Sequence, residues 1–177
     1  MTGFDEMREQ AAWGYSQLKS ILQEVPEELA WAQVTLAPGA YLHTNGTMIG
    51  MVQHMAVCKI MYGSTAFRDT EIRWSNCFDQ LEVLGASWDR NLTYLEEAHQ
   101  YWLSTWKDLT DADLDRQVPH FRGVLWPAWK VVAGVIHHDI YHGAQIALLG
   151  SVLTPVSVPP DLRLDDERAS CRDLPGW

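Results

Sequence analysis

Apolar residues recur at steps of three and four in four long runs, separated by proline, glycine and polar clusters. The first run predicts a helix over about 5–25. Met7, Ala11, Gly14, Leu18, Ile21, Leu22 and Val25 fall on one face, and Pro26 stops it. A short helical turn over about 27–33 precedes a Pro38-Gly39 loop. The second run starts at Asn45 or Thr47 as N-cap and reaches about residue 67. It is apolar on most sides, which predicts burial. The polar stretch RDTEIRWSN reads as a loop. The third run covers about 78–109, with Leu81, Gly85, Trp88, Leu92, Leu95, His99, Trp102 and Trp106 in three-four alternation. That is the seam of an antiparallel bundle. After an N-capped turn at Thr110, the fourth run opens at Leu125-Trp126-Pro127, with proline in a first-turn position, and ends at Gly150.

No segment alternates with period two for more than a few residues, and no internal repeat is visible. The pattern therefore predicts an all-α four-helix bundle over residues 1–150. Residues 151–177, with four prolines, form an irregular, extended C-terminal tail on or near the bundle. The length of 177 residues fits one domain and suffices for a full core. The net charge of −10 is spread along the chain without a basic run, which argues against nucleic acid as a partner. No apolar stretch reaches the roughly 18 residues of a membrane span, and the first twenty residues lack a secretory signal. Cys58, Cys77 and Cys171 form no C-x-x-C, so a disulfide framework or cysteine zinc site is not expected. A reducing cytoplasm fits best. Nine tryptophans imply a wide core, a pocket wall or a subunit interface.

The most informative string is HHDIYHGAQIALL, residues 137–149. His138 and His142 stand at i and i+4, so both imidazoles share a helix face one turn apart. Two such nitrogens can converge on one metal ion, or the histidines can simply be core or surface residues. A third ligand has to come from another helix, with His54 and His99 as candidates. His54 sits inside the apolar MVQHMAV, where an unpaired imidazole is costly. Either a metal or a backbone carbonyl would satisfy it. His99 lies on the third-run seam as a ligand, a supporting group or an interhelical hydrogen-bonder. His43 and His120 read as surface residues. His138-Asp139-Ile140-Tyr141-His142 also differs from the zinc-protease H-E-x-x-H only by aspartate for glutamate. That reading makes Asp139 a general base and seeks an acidic ligand at Asp165, Asp166 or Glu167.

His138, His142, Gly143, Gln145 and Ile146 late in the bundle, with His54 in IGMVQHMA, resemble the DinB-like (DinB/YfiT-type) metalloenzyme superfamily. Ala144 stands where many members carry glycine. The resemblance implies a four-helix bundle with a long crossover connection. It implies one divalent metal, zinc or nickel, on His54, His138 and His142, with open positions for water or substrate. Characterised relatives include transferases and isomerases that use a low-molecular-weight thiol, and members often form homodimers.

Three neutral imidazoles leave the metal charge uncompensated, so a bound water or thiol would ionise near neutral pH. The chain is therefore expected to be a metal-dependent enzyme on a small-molecule substrate, a thiol-dependent S-transferase or a hydrolase. His99 and Asp139 are the candidate proton carriers, and Gln145 is the candidate hydrogen-bond partner of a ligand imidazole. The alternatives are a non-catalytic metal-binding or stress-response homodimer, the protease-like hydrolase, and a metal-free bundle acting through dimerisation.

Overall fold

The computed structural model describes residues 3–32, 46–120 and 123–153. The elements in chain order are α1 (Gly3–Gln23), α2 (Glu27–Ala30), α3 (Met48–Phe67), α4 (Trp74–Leu84), α5 (Trp88–Trp106), a single 3₁₀ turn (Asp111–Asp113), β1 (Gln117–Pro119), β2 (Leu125–Pro127) and α6 (Ala128–Leu153). α3, the helix apolar on most sides, is the central one and packs on both α5 and α6, while α1 packs on α6. Thr47 is its N-cap, its hydroxyl accepting from the Gly50 N–H at 3.1 Å.

Side-chain contacts fix the directions. Gln53 meets Asn91 near the starts of α3 and α5, and Arg68 bonds the Ser104 carbonyl near their ends. The two helices are therefore parallel. A Cβ on Gly63 would stand 3.0 Å from the Thr105 side chain, so the glycine is what lets them approach this closely. By contrast Arg8, at the start of α1, donates to the carbonyls of Lys107 and Leu109 beyond the end of α5. α1 and α5 are thus antiparallel, and the guanidinium covers orphan carbonyls at a helix C-terminus. Parallel neighbours need a long return, and α4 supplies it.

Three boundaries differ from the sequence expectation. The third run is two helices: Gly85 adopts φ +55° and ends α4, and Ser87 caps α5 by accepting from the Arg90 N–H. Leu125–Pro127 is a strand, not a helix start. It pairs antiparallel with Gln117–Pro119, Val118 opposite Trp126, so a two-stranded hairpin sits within the all-α fold. α6 passes Gly150 and reaches Leu153, which packs against the core; that contact outweighs the cost of about 1 kcal/mol for glycine in a helix. The tail from residue 154, including Asp165, Asp166 and Glu167, lies outside the described residues, as does His43. No helix among the described residues is long and apolar enough to cross a membrane.

The core holds Trp102 and Trp106 with essentially no exposure, each worth about 1.5–3 kcal/mol of hydrophobic stabilisation. These seam tryptophans are core residues. His120 is buried as well, stacked on Trp126 at 4.0 Å and edge-on to Tyr62, where the sequence placed it on the surface. The hairpin holds it there, through its backbone bond to Val124.

Candidate metal centre

α6 carries His138 and His142 one turn apart, and antiparallel packing of α3 brings His54 across to them. The Nε2 atoms of His54 and His138 stand 3.0 Å apart, and those of His138 and His142 3.2 Å apart. One ligand atom from each of the three lies within 4.8 Å of the others. Nitrogens held about 2.0–2.1 Å from a single ion stand roughly 2.9–3.4 Å apart, from right-angle to tetrahedral arrangements. The spacing fits. A single N–H on His138 serves only one of its two neighbours well, whereas a cation would accept all three lone pairs.

The tautomer of His142 is set from outside the cluster. Its Nδ1–H donates to Gln145 Oε1 at 2.7 Å, and Gln145 Nε2 donates to the Tyr141 hydroxyl at 3.0 Å. His142 Nε2 is left as a lone pair facing the other two histidines. His142 is completely buried, while His54 and His138 are half-buried. Gly143 packs on Leu18 and Ile21 of α1, so its place next to His142 is a packing matter.

His54 also lines an open groove of about 410 Å³, walled by Gly50, Gln53, Val57, Trp74, Phe78 and Leu81. His54 is therefore reached from solvent between α3 and α4, while His138 and His142 do not line the groove. Cys58 Sγ lies 3.7 Å from His54 Nε2. Burial pushes this thiol up to about 12; one turn after His54 on α3, it packs beside that imidazole.

Neither expected proton carrier joins the three histidines. Asp139 faces the core and forms an ion pair with Lys59 of α3. Burial raises the Asp139 carboxyl and lowers the Lys59 ammonium, while each partner pulls the other back. The Lys59 ammonium also lies 5.0 Å from the Trp102 ring and 5.3 Å from Tyr15. His99 stacks on Tyr15 with centroids 3.6 Å apart and is buried. Sequence reasoning did not single out Lys59. The available signal was that Lys59 is the one Lys, Arg, Asp or Glu of α3 and Asp139 the one acidic residue of α6.

His99 yields a pH prediction. Burial, reinforced by the Lys59 charge, pushes its imidazole down to about 3. The unfolded chain binds that proton near the ordinary value of about 6.5. Stability is therefore lost as pH falls from about 6.5 toward the folded value, by up to about 1.4 kcal/mol per pH unit. Urea melts across this range should show a shallower acid limb for His99→Phe, which keeps the stack on Tyr15. An unchanged slope would mean that His99 protonates in place.

The family model described as DinB superfamily matches residues 10–146. The chain belongs to the DinB superfamily. All three cluster histidines and Gln145 fall inside the match. Two solved structures share the fold. One is the colibactin self-resistance protein ClbS in complex with a dsDNA, at 13% identity and TM-score 0.62, covering 83% of this chain and 95% of that one. The other is an uncharacterised protein from Escherichia coli UTI89, at 13% identity and TM-score 0.60, covering 84% and 92%. No curated protein sequence matches the chain. At this identity the likeness is one of fold, and the chemistry has to be argued from the site.

Proposed function

We propose that this DinB-superfamily chain is a metal-dependent enzyme acting on a small molecule, a thiol-dependent S-transferase or a hydrolase, in the cytoplasm. The observation that carries the reading is the convergence of three Nε2 atoms at 3.0 and 3.2 Å beside an open groove. His54, His138 and His142 would hold one divalent ion, zinc or nickel. Such an ion, when bound, favours the ionised form of a water or a low-molecular-weight thiol. Gln145 holds His142 in the ligating tautomer, and the groove seats the substrate. Asp139, directly after His138 and packed into the core against Lys59, is given a positioning role, whereas His99 is assigned to the core stack on Tyr15. Ion pairing with Lys59 makes Asp139 a poor match for the general base of the protease-like reading.

ClbS was solved with a duplex, but a net charge of −10 gives this chain little attraction for a phosphate backbone. A homodimer is part of the proposal on the strength of DinB-superfamily membership.

Untagged protein purified without added metal is expected to carry about one zinc or nickel per chain by elemental mass spectrometry. It should then accelerate attack of a small thiol on a chloro-dinitroarene, or the hydrolysis of an activated ester. Metal without turnover across a panel of thiols and esters would favour the non-catalytic metal-binding homodimer. No metal, and no uptake on reconstitution, would sink both.

A further inference from the structure

Trp74 and Phe78 stand one turn apart on α4, their ring centroids 6.1 Å apart and 26° from parallel. They are 39% and 55% exposed. α4 buries Cys77 and Leu84 and packs Leu81 against the core. Leaving two large aromatic faces wet forgoes hydrophobic stabilisation, which makes their place in the molecule informative. Both rings line the groove that reaches His54. The remaining wall is Val57, Leu81 and Gly50, and the one polar neighbour besides His54 is Gln53, whose amide donates to Asn91 at 3.0 Å. No charged side chain lines the groove among the described residues. Its volume of about 410 Å³ suits one small molecule.

We propose that this groove selects planar, uncharged aromatic or conjugated molecules, stacked on Trp74 and Phe78 with one edge toward His54. The assignment names the substrate class of the site proposed above and rests on that reading for its chemistry, but the seat is testable without it. Flat rings gain from stacking beyond their buried area, and flexible chains of similar apolar size do not. Absence of a charged partner disfavours ions, whose desolvation would go uncompensated.

The test uses a neutral, environment-sensitive naphthyl ketone fluorophore, titrated into the full chain, with decan-1-ol as a competing non-aromatic ligand. Trp74→Leu keeps the wall apolar and removes the ring. It should weaken the ketone about five- to tenfold and leave decanol within about twofold. Phe78→Leu should act in the same direction and guards against a Trp74 variant that fails to fold. The titration is repeated on metal-free His142→Ala, where the ketone should still bind. If the wild type proves to hold no metal, the enzyme reading fails while this titration still decides the groove. Equal losses for ketone and decanol, no loss for either, or a halved particle mass in the variants would overturn the proposal. The halved mass would mark the aromatic pair as a subunit contact.

Discussion

His142→Ala is expected to abolish stoichiometric metal binding. The side chain is fully buried, and its Nε2 stands 3.2 Å from that of His138. Its removal leaves two half-buried imidazoles on different helices. Loss of an outer hydrogen-bond partner alone typically weakens a metal site about 10–100-fold, so loss of a ligand should exceed about 100-fold. Gln145→Leu is the graded control. It removes the acceptor that fixes the His142 tautomer, at 2.7 Å, and should weaken binding about 10–100-fold without abolishing it. Linkage gives a second readout. Metal at 100 times its dissociation constant stabilises the fold by about 2.7 kcal/mol, which raises Tm by about 5–10 °C for a chain of this size. Calorimetry with and without metal should show that increment in the wild type and none in His142→Ala. The increment is compared within each variant, so the cavity left by the missing ring does not confuse it. Wild-type occupancy in His142→Ala would falsify the assignment.

The parts of this molecule that were legible in the sequence are those set by local spacing. The i, i+4 pair on α6 needs only a helix, and the helix is announced by its apolar period. His54 is a different case. Its partial burial follows from the apolar α3, but its arrival at His138 depends on antiparallel packing of two helices over 80 residues apart, which no spacing encodes. The resemblance to the DinB family carried that step. Errors arose where one pattern fits two structures. The three-four alternation runs through Gly85 without a break in phase, so a corner between α4 and α5 looks like one long seam. Only the glycine's φ of +55° and the Ser87 cap reveal it. Pro127 suits a first helical turn and equally the end of an edge strand, and pairing with Gln117 decides the matter. Trp74 and Phe78 were invisible as a groove because exposure is a property of the packed bundle. The polar RDTEIRWSN placed Trp74 in a loop, whereas it opens α4.

The largest expected loss of stability belongs to the core pair that spacing alone did not reveal. Lys59→Met removes a fully buried ammonium and leaves Asp139, 3% exposed, without its ion-pair partner. Asp139 Oδ1 already has no hydrogen-bond partner among the described residues. A carboxylate stranded in this way is expected to cost about 3–5 kcal/mol. That is a large part of the roughly 5–15 kcal/mol available to a domain. The double variant Lys59→Met with Asp139→Leu should recover most of the loss, because replacing both charges by apolar groups is often neutral or stabilising. Urea melts of the two single variants and the double variant would measure the coupling; additive losses would mean that the two groups do not act as a pair in solution. The double variant also asks why the pair is there. It joins the same two helices as the histidine cluster, from Lys59 five residues beyond His54 and Asp139 directly after His138. An ion pair tolerates one register of α3 against α6, whereas methionine and leucine tolerate several. The double variant should therefore regain most of the wild-type stability and yet bind metal more weakly, because the three Nε2 atoms are no longer held to one spacing. Unchanged affinity in a stable double variant would leave the pair without a part in aligning the site.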